Sequence, residues 1–133
     1  AAEAERSIVS DGVELAFVYF GYPDECAHRH GWMSAEYLEA VSNADACLGQ
    51  VLAALGDGST AIVTADHGGH ERSHGSAVRE DMTIPLVIAH LEGTVGDGAG
   101  EIAGDVSIMD VAPTIAGLLG LWTPEEWEGR GIV

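Results

Sequence analysis

The chain has 133 residues, 47% of them hydrophobic, which is enough for one domain with a real core. Its 22 acidic residues face only five basic ones, giving a formal charge of −17. A surface this acidic repels phosphate backbones, so binding to nucleic acid is not expected. No apolar run is long enough for a membrane segment and no signal peptide is visible, so a cytoplasmic location is favoured.

The first half of the chain predicts one strand and one long helix. Residues 1–12 are polar and show no firm pattern, whereas the nearly continuous apolar run Glu14–Phe20 predicts a buried strand. A loop is predicted at Gly21–Met33. A helix then follows over residues 34–55, with Ser34 as its N-cap and apolar residues at steps of three and four.

The second half predicts an α/β arrangement. Two more buried strands and a glycine-rich surface turn region are predicted at Thr60–Ala65, Ile84–Ala89 and Gly93–Gly104. A second helix is predicted at Met109–Leu119, capped by Ser107 or Asp110. This order of elements predicts a mainly parallel sheet flanked by helices, with ligand sites beyond the carboxyl ends of the strands.

The segment His70–His74 spells H-E-x-x-H, the zinc-protease pattern. In such enzymes the motif lies on a helix, which places both histidines on one face. Here Gly68 and Gly69 precede the motif, Gly75 follows it, and the flanks have no helical period. A zinc metalloprotease is therefore the third of three functional hypotheses.

A two-metal site uses more of the sequence. Asp24-x-x-x-His28 and Asp66-His67 each pair an acid with an imidazole, and His74 adds a third imidazole. Zinc favours such nitrogen and oxygen ligands, about four to a site. These residues are too many for one tetrahedral metal and too few for two. By residue type alone, His70 could serve as a metal ligand as well as His74.

Four segments carry a family resemblance when they are taken together and in order. They are Asp24–Gly31 (DECAHRHG), Thr64–Gly69 (TADHGG), His74–Pro85 (HG followed by MTIP) and Ser107–Ile115 (SIMDVAPTI). They resemble the P-D-x-x-G-H-x-x-G, T-S-D-H-G, H-G…M-x-x-I-P and V-S-I-M-D-I-A-P-T-I segments of the alkaline phosphatase superfamily, in its type I phosphodiesterase/nucleotide pyrophosphatase branch. Ala27 stands where that pattern usually has glycine, and the third segment is one residue shorter.

The resemblance implies that residues 1–133 are the C-terminal portion of one alkaline-phosphatase-like metallohydrolase domain, N-terminally incomplete. It implies two divalent metal ions, zinc foremost, with manganese or iron as alternatives. Asp24, His28 and His74 would hold one ion, and Asp66 and His67 the other. A further aspartate and the threonine or serine nucleophile would belong to the missing N-terminal part, so the catalytic nucleophile is unknown here and the isolated chain is expected to be inactive.

The resemblance also implies a function, which is hydrolysis of a small-molecule phosphate ester, as a phosphodiesterase or phosphatase. The alternative is a non-catalytic metal-binding fragment or module. His70 and His30 are expected beside the metal ligands, on the substrate side, or simply exposed on the surface.

Overall fold

The computed structural model of the chain describes residues 1–91 and 100–133. They divide into two units, Ala1–Val95 and Gly96–Val133. The predicted turn region Gly93–Gly104 lies largely outside the described residues. That residues 1–133 are one portion of a single domain stays a prediction.

Three helices lead the first unit. They are α1 (Ala2–Asp11), α2 (Tyr22–His30) and α3 (Ala35–Ala54), and both α1 and α2 pack against α3. The predicted long helix is confirmed as α3, and its N-cap is Ser34, whose Oγ accepts the backbone N–H of Tyr37 at 3.2 Å. None of the helices in the described ranges is long and apolar enough to cross a membrane.

The predicted loop Gly21–Met33 is wrong over most of its length, because α2 occupies it. Pro23 in the first turn supplies a backbone angle that suits a helix start. The negative charges of Asp24 and Glu25 interact favourably with the positive, N-terminal end of the helix dipole. The basic residues of the last turn, which ends at His30, interact favourably with its negative, C-terminal end. These signals explain why the segment is helical.

The predicted strand Glu14–Phe20 is also wrong, because this segment is irregular and has no strand partner among the described residues. Phe17 is 90% exposed, and Leu15 and Tyr19 are more than half exposed. An apolar run forms a strand only when a neighbouring strand satisfies its backbone groups.

The sheet of the described residues has two strands, β1 (Ser59–Thr64) and β2 (Leu86–Leu91). They correspond to two of the predicted strands, but they are antiparallel, with Thr64 opposite Leu86, so the predicted parallel sheet is not formed here. The connection over residues 65–85 contains only the one-turn helix α4 (Arg79–Met82). Because this connection does not cross to the other end of the sheet, β2 begins beside the end of β1 and runs in the opposite direction.

The second unit contains the predicted second helix. A short 3₁₀ turn (Ile108–Asp110) leads into α5 (Val111–Leu118). Both predicted caps act together, since the Ser107 hydroxyl accepts from the Met109 N–H and the Asp110 carboxylate accepts from the Ser107 N–H. Asp110 also accepts the backbone N–H of Arg130, which fastens the tail to the helix start.

Candidate metal centre

One side of the candidate site lies on α2. Asp24 and His28 are four residues apart on this helix and therefore share a face. Their nearest atoms, Oδ1 of Asp24 and Nε2 of His28, are 3.5 Å apart. The D-x-x-x-H spacing thus brings the pair together within a helix, where the sequence predicted a loop.

The other side comes from the connection between β1 and β2. His67 and His74 stack face to face in this connection, with ring centroids 3.7 Å apart and planes 13° apart. Their Nε2 atoms lie 3.9 and 3.6 Å from Oδ1 of Asp24. Three imidazole Nε2 atoms from two separate segments therefore surround a single carboxylate oxygen.

Backbone carbonyls fix the orientation of two of these rings. Nδ1 of His28 lies 2.9 Å from the carbonyl oxygen of Arg72, and Nδ1 of His67 lies 2.8 Å from that of Gly68. A carbonyl only accepts, so Nδ1 carries the proton in each hydrogen bond. A neutral ring then has its lone pair on Nε2, the atom that faces Asp24, which is the usual way in which a ligating histidine is oriented.

The Asp24 carboxylate shows whether this group of residues suits a cation. Its Oδ1 is buried and has no hydrogen-bond partner among the described residues. The surrounding nitrogen atoms lie beyond normal hydrogen-bond length. Ligand atoms of Asp24, His28 and His74 all lie within 4.8 Å of one another. A buried unpaired carboxylate oxygen is costly, and a divalent cation among these donors would satisfy it.

Asp66 lies at the edge of this group. Its side chain is 68% exposed, and Oδ2 is 3.7 Å from Nε2 of His67. Its Oδ1 accepts the backbone N–H of His67 at 3.2 Å. Asp66 and His67 therefore adjoin the three-residue group of Asp24, His28 and His74 without forming a second closed one.

The H-E-x-x-H segment is not helical. His70 and Ser73 exchange backbone hydrogen bonds across a turn, and Glu71 has a positive φ of 48°. The His70 ring is directed to Asp81, with Nδ1 2.7 Å from Oδ1. The geometry that a zinc protease requires is therefore absent from this segment, and His74, rather than His70, lies beside Asp24.

His30 is also outside the group, with Nδ1 3.9 Å from a carboxylate oxygen of Glu36. It belongs to the last turn of α2 but lies two residues beyond His28, on another side of the helix.

Two residues near the site were missed in the sequence. Trp32 packs edge-on against His28 at 5.3 Å and against His74 at 5.8 Å, so it links the two sides. Asp81 is 3% exposed, and its hydrogen bonds to His70, and then to Ser76, hold its pKa at about 2. The same bond raises the pKa of His70. The sequence around Trp32 has no pattern that would indicate this contact, and burial of a single acid cannot be read from sequence.

Comparisons with known proteins agree with this chemistry. The family model of type I phosphodiesterase / nucleotide pyrophosphatase matches residues 1–89. A 2,3-bisphosphoglycerate-independent phosphoglycerate mutase of Picosynechococcus sp. is 32% identical over 141 residues, covering 98% of this chain and 26% of the relative. Those of Rippkaea orientalis and Methanosarcina acetivorans are each 30% identical, over 90% and 98% of this chain and 24% and 25% of theirs.

The chain thus spans about a quarter of the length of these curated relatives. No solved structure matches it significantly. The family model covers well over half of the chain, and it includes the segments that carry Asp24, His28, Asp66, His67 and His74. The chain belongs to the type I phosphodiesterase/nucleotide pyrophosphatase family of the alkaline phosphatase superfamily, whose members are metal-dependent phosphoryl-transfer enzymes.

Proposed function

We propose that Asp24, His28 and His74 bind one divalent metal ion in a phosphoryl-transfer enzyme. The observation that carries this proposal is the buried, unpaired Oδ1 of Asp24, which three imidazole Nε2 atoms surround at 3.5–3.9 Å. These donors suit zinc, and also manganese or iron. Family membership supports the same metal chemistry.

Asp66 and His67 contribute to a second ion in this proposal. Both follow β1 directly, and His67 lies between the two carboxylates, 3.7 Å from Asp66 and 3.9 Å from Asp24. Two nitrogen and oxygen ligands fall short of a complete site. Following the family resemblance, we assign the remaining ligand and the nucleophile to sequence outside these 133 residues.

The two cations, when bound, would neutralise the charge of the phosphoryl group during its transfer. The chain's own residues would hold the cations in place by orienting their ligands. Backbone carbonyls orient His28 and His67, α2 fixes Asp24, and Trp32 packs against His28 and His74. Because the chain has 22 acids and five bases, the cations would supply most of the local positive charge.

The acceptor of the phosphoryl group distinguishes two forms of the proposal. Water as the acceptor gives a phosphodiesterase or phosphatase acting on a small-molecule ester, in line with the family description. A hydroxyl of the substrate as the acceptor gives a mutase, which the names of relatives 30–32% identical to this chain favour. A cytoplasmic location is part of either form.

The test uses the protein encoded by the whole gene, loaded with zinc or manganese. Release of p-nitrophenol from bis(p-nitrophenyl) phosphate measures diester hydrolysis, and phosphorus NMR of phosphoglycerate separates isomerisation from release of inorganic phosphate. His28→Ala should abolish whichever activity is present, because it removes a proposed ligand, while His30→Ala should retain it. Equal activity in the parent protein and in His28→Ala would refute the proposed site.

A further inference from the structure

We propose that Asp81 is a positioning residue for the metal-ligand loop, residues 66–76, which carries His67 and His74. This inference rests on the proposed function. Asp81 belongs to α4, outside the loop, and contacts it at three places. Its hydrogen bonds to the loop go to Gly68, His70 and Ser76, and none of these is a proposed ligand, so Asp81 would act through the loop.

The three contacts are spaced along the loop. The backbone carbonyl of Asp81 accepts the N–H of Gly68 at 2.8 Å. Its Oδ1 accepts from Nδ1 of His70 at 2.7 Å. Its Oδ2 accepts from Ser76, through the backbone N–H at 2.8 Å and the hydroxyl at 2.7 Å.

These contacts enclose His74 and adjoin His67. Gly68 directly follows His67, and Ser76 is two residues beyond His74. A Cβ at Gly68 would overlap the carbonyl oxygen of Glu80, so the loop lies directly on the backbone of α4. A loop fastened at both ends and at its centre has little freedom to separate the two stacked imidazoles.

The carboxylate of Asp81 is suited to this role. Its side chain is 1% exposed, and both oxygens are engaged in hydrogen bonds to the loop. Charge-assisted hydrogen bonds of this kind are short and geometrically specific. Residues that orient metal ligands affect metal affinity although they never touch the ion.

Within this network His70 serves as a donor. Its Nδ1 is hydrogen-bonded to Asp81. Its backbone N–H donates to the carbonyl of Ser73, and its carbonyl accepts the N–H of Ser73. An asparagine at position 70 can present its side-chain NH₂ near the place of Nδ1, but it has no atom in the place of Nε2. The two substitutions His70→Asn and His70→Ala therefore separate a positioning role from ligation through Nε2.

The test is calorimetric titration of the 133-residue chain with zinc. Asp81→Asn should weaken zinc binding about 10–100-fold, the usual effect of removing a residue that orients ligands. His70→Ala should also weaken it, whereas His70→Asn should restore most of the affinity. Asp110→Asn is the matched control, because Asp110 is a buried acid that accepts two backbone N–H groups in the other unit. It should reduce stability without changing zinc affinity.

Each contrary outcome has a defined meaning. Parent-like zinc binding in Asp81→Asn, with binding lost in His28→Ala, would overturn this inference and leave the metal site intact. Equal losses in His70→Asn and His70→Ala would also overturn it, since His70 would then act through Nε2. No zinc binding by the unchanged chain would overturn the metal site and this inference together. If Asp81→Asn fails to fold, as judged by circular dichroism, the two His70 variants decide the question.

Discussion

Replacement of Gly69 by alanine tests whether the packing between Trp32 and the candidate site is real. A Cβ at Gly69 would lie 2.5 Å from Cζ2 and Nε1 of Trp32, and closer still to Cε2. Carbon atoms in contact prefer a separation of about 3.5–4.0 Å, so the indole must move by about 1.5 Å. The backbone of Gly69 lies outside the left-handed region, so the alanine itself is not strained.

The expected cost of Gly69→Ala is about 1–3 kcal/mol in the free energy of unfolding, the range for overpacking in a filled site. The displaced indole packs against His28 and His74, so zinc affinity should fall as well. Urea unfolding followed by circular dichroism measures the first effect, and calorimetric titration with zinc measures the second.

Gly49→Ala is the matched control for this prediction. Gly49 lies inside α3, and a Cβ there would meet nothing within 4 Å. Alanine should therefore stabilise the chain by about 0.5–1 kcal/mol through helix propensity, with no effect on zinc affinity. A Gly69→Ala chain that is as stable as the parent chain and binds zinc equally well would show that Trp32 does not pack against Gly69 in this way.

Three further predictions concern stability, pH and activity. Thr114→Val should destabilise the chain by about 1–3 kcal/mol in urea unfolding, because the buried Thr114 hydroxyl accepts the N–H of Ile132 and donates to the carbonyl of Asp110; an unchanged midpoint would contradict this. The raised pKa of His70 means that its contribution to stability is complete below its usual value of 6.5 and is lost as pH rises through the raised value. The lowered pKa of Asp81 means that its contribution is present above 3.8 and is lost as pH falls towards about 2. The melting temperature of the parent chain should therefore exceed that of Asp81→Asn most between pH 3.8 and 6.5, and a difference that does not vary with pH would argue against the pair. The purified 133-residue chain with zinc should not hydrolyse bis(p-nitrophenyl) phosphate, and metal-dependent turnover would show that it contains its own nucleophile.

Local patterns located two helices of this chain, α3 and the helix after Ser107, but missed α1 and α2. The three- and four-residue apolar steps and the Ser34 cap located α3, although Leu38 and Val41 on the predicted apolar face remain substantially exposed. The helix after Ser107 was also located by its caps. These signals act within a few residues, so they can be read without knowing the rest of the fold.

Strand pairing could not be read in the same way. The run Glu14–Phe20 has strand composition, but a strand depends on partners elsewhere in the chain. The direction of β2 depends on how residues 65–85 return, and the apolar pattern of a buried strand is the same in either direction. The parallel prediction failed at that point.

The candidate site was predictable in its members but not in its surroundings. Motif order selected Asp24, His28 and His74, and the structure brings these three together. Their assignment as ligands stays a prediction until metal binding is measured. Asp81 and Trp32 were not predictable, because neither a fully bonded buried acid nor an aromatic contact between distant segments leaves a local pattern.

The most direct test of the proposed metal site is the zinc affinity of three chains, measured by calorimetry: the unchanged chain, His28→Ala and His30→Ala. Both histidines belong to the last turn of α2, but only His28 lies beside Asp24 and His74. We expect His28→Ala to weaken zinc binding by more than about tenfold, since even residues that only orient ligands have effects of that size. His30→Ala should bind as the unchanged chain does. Equal affinity in all three chains, or a loss in His30→Ala alone, would contradict a metal site built on Asp24, His28 and His74.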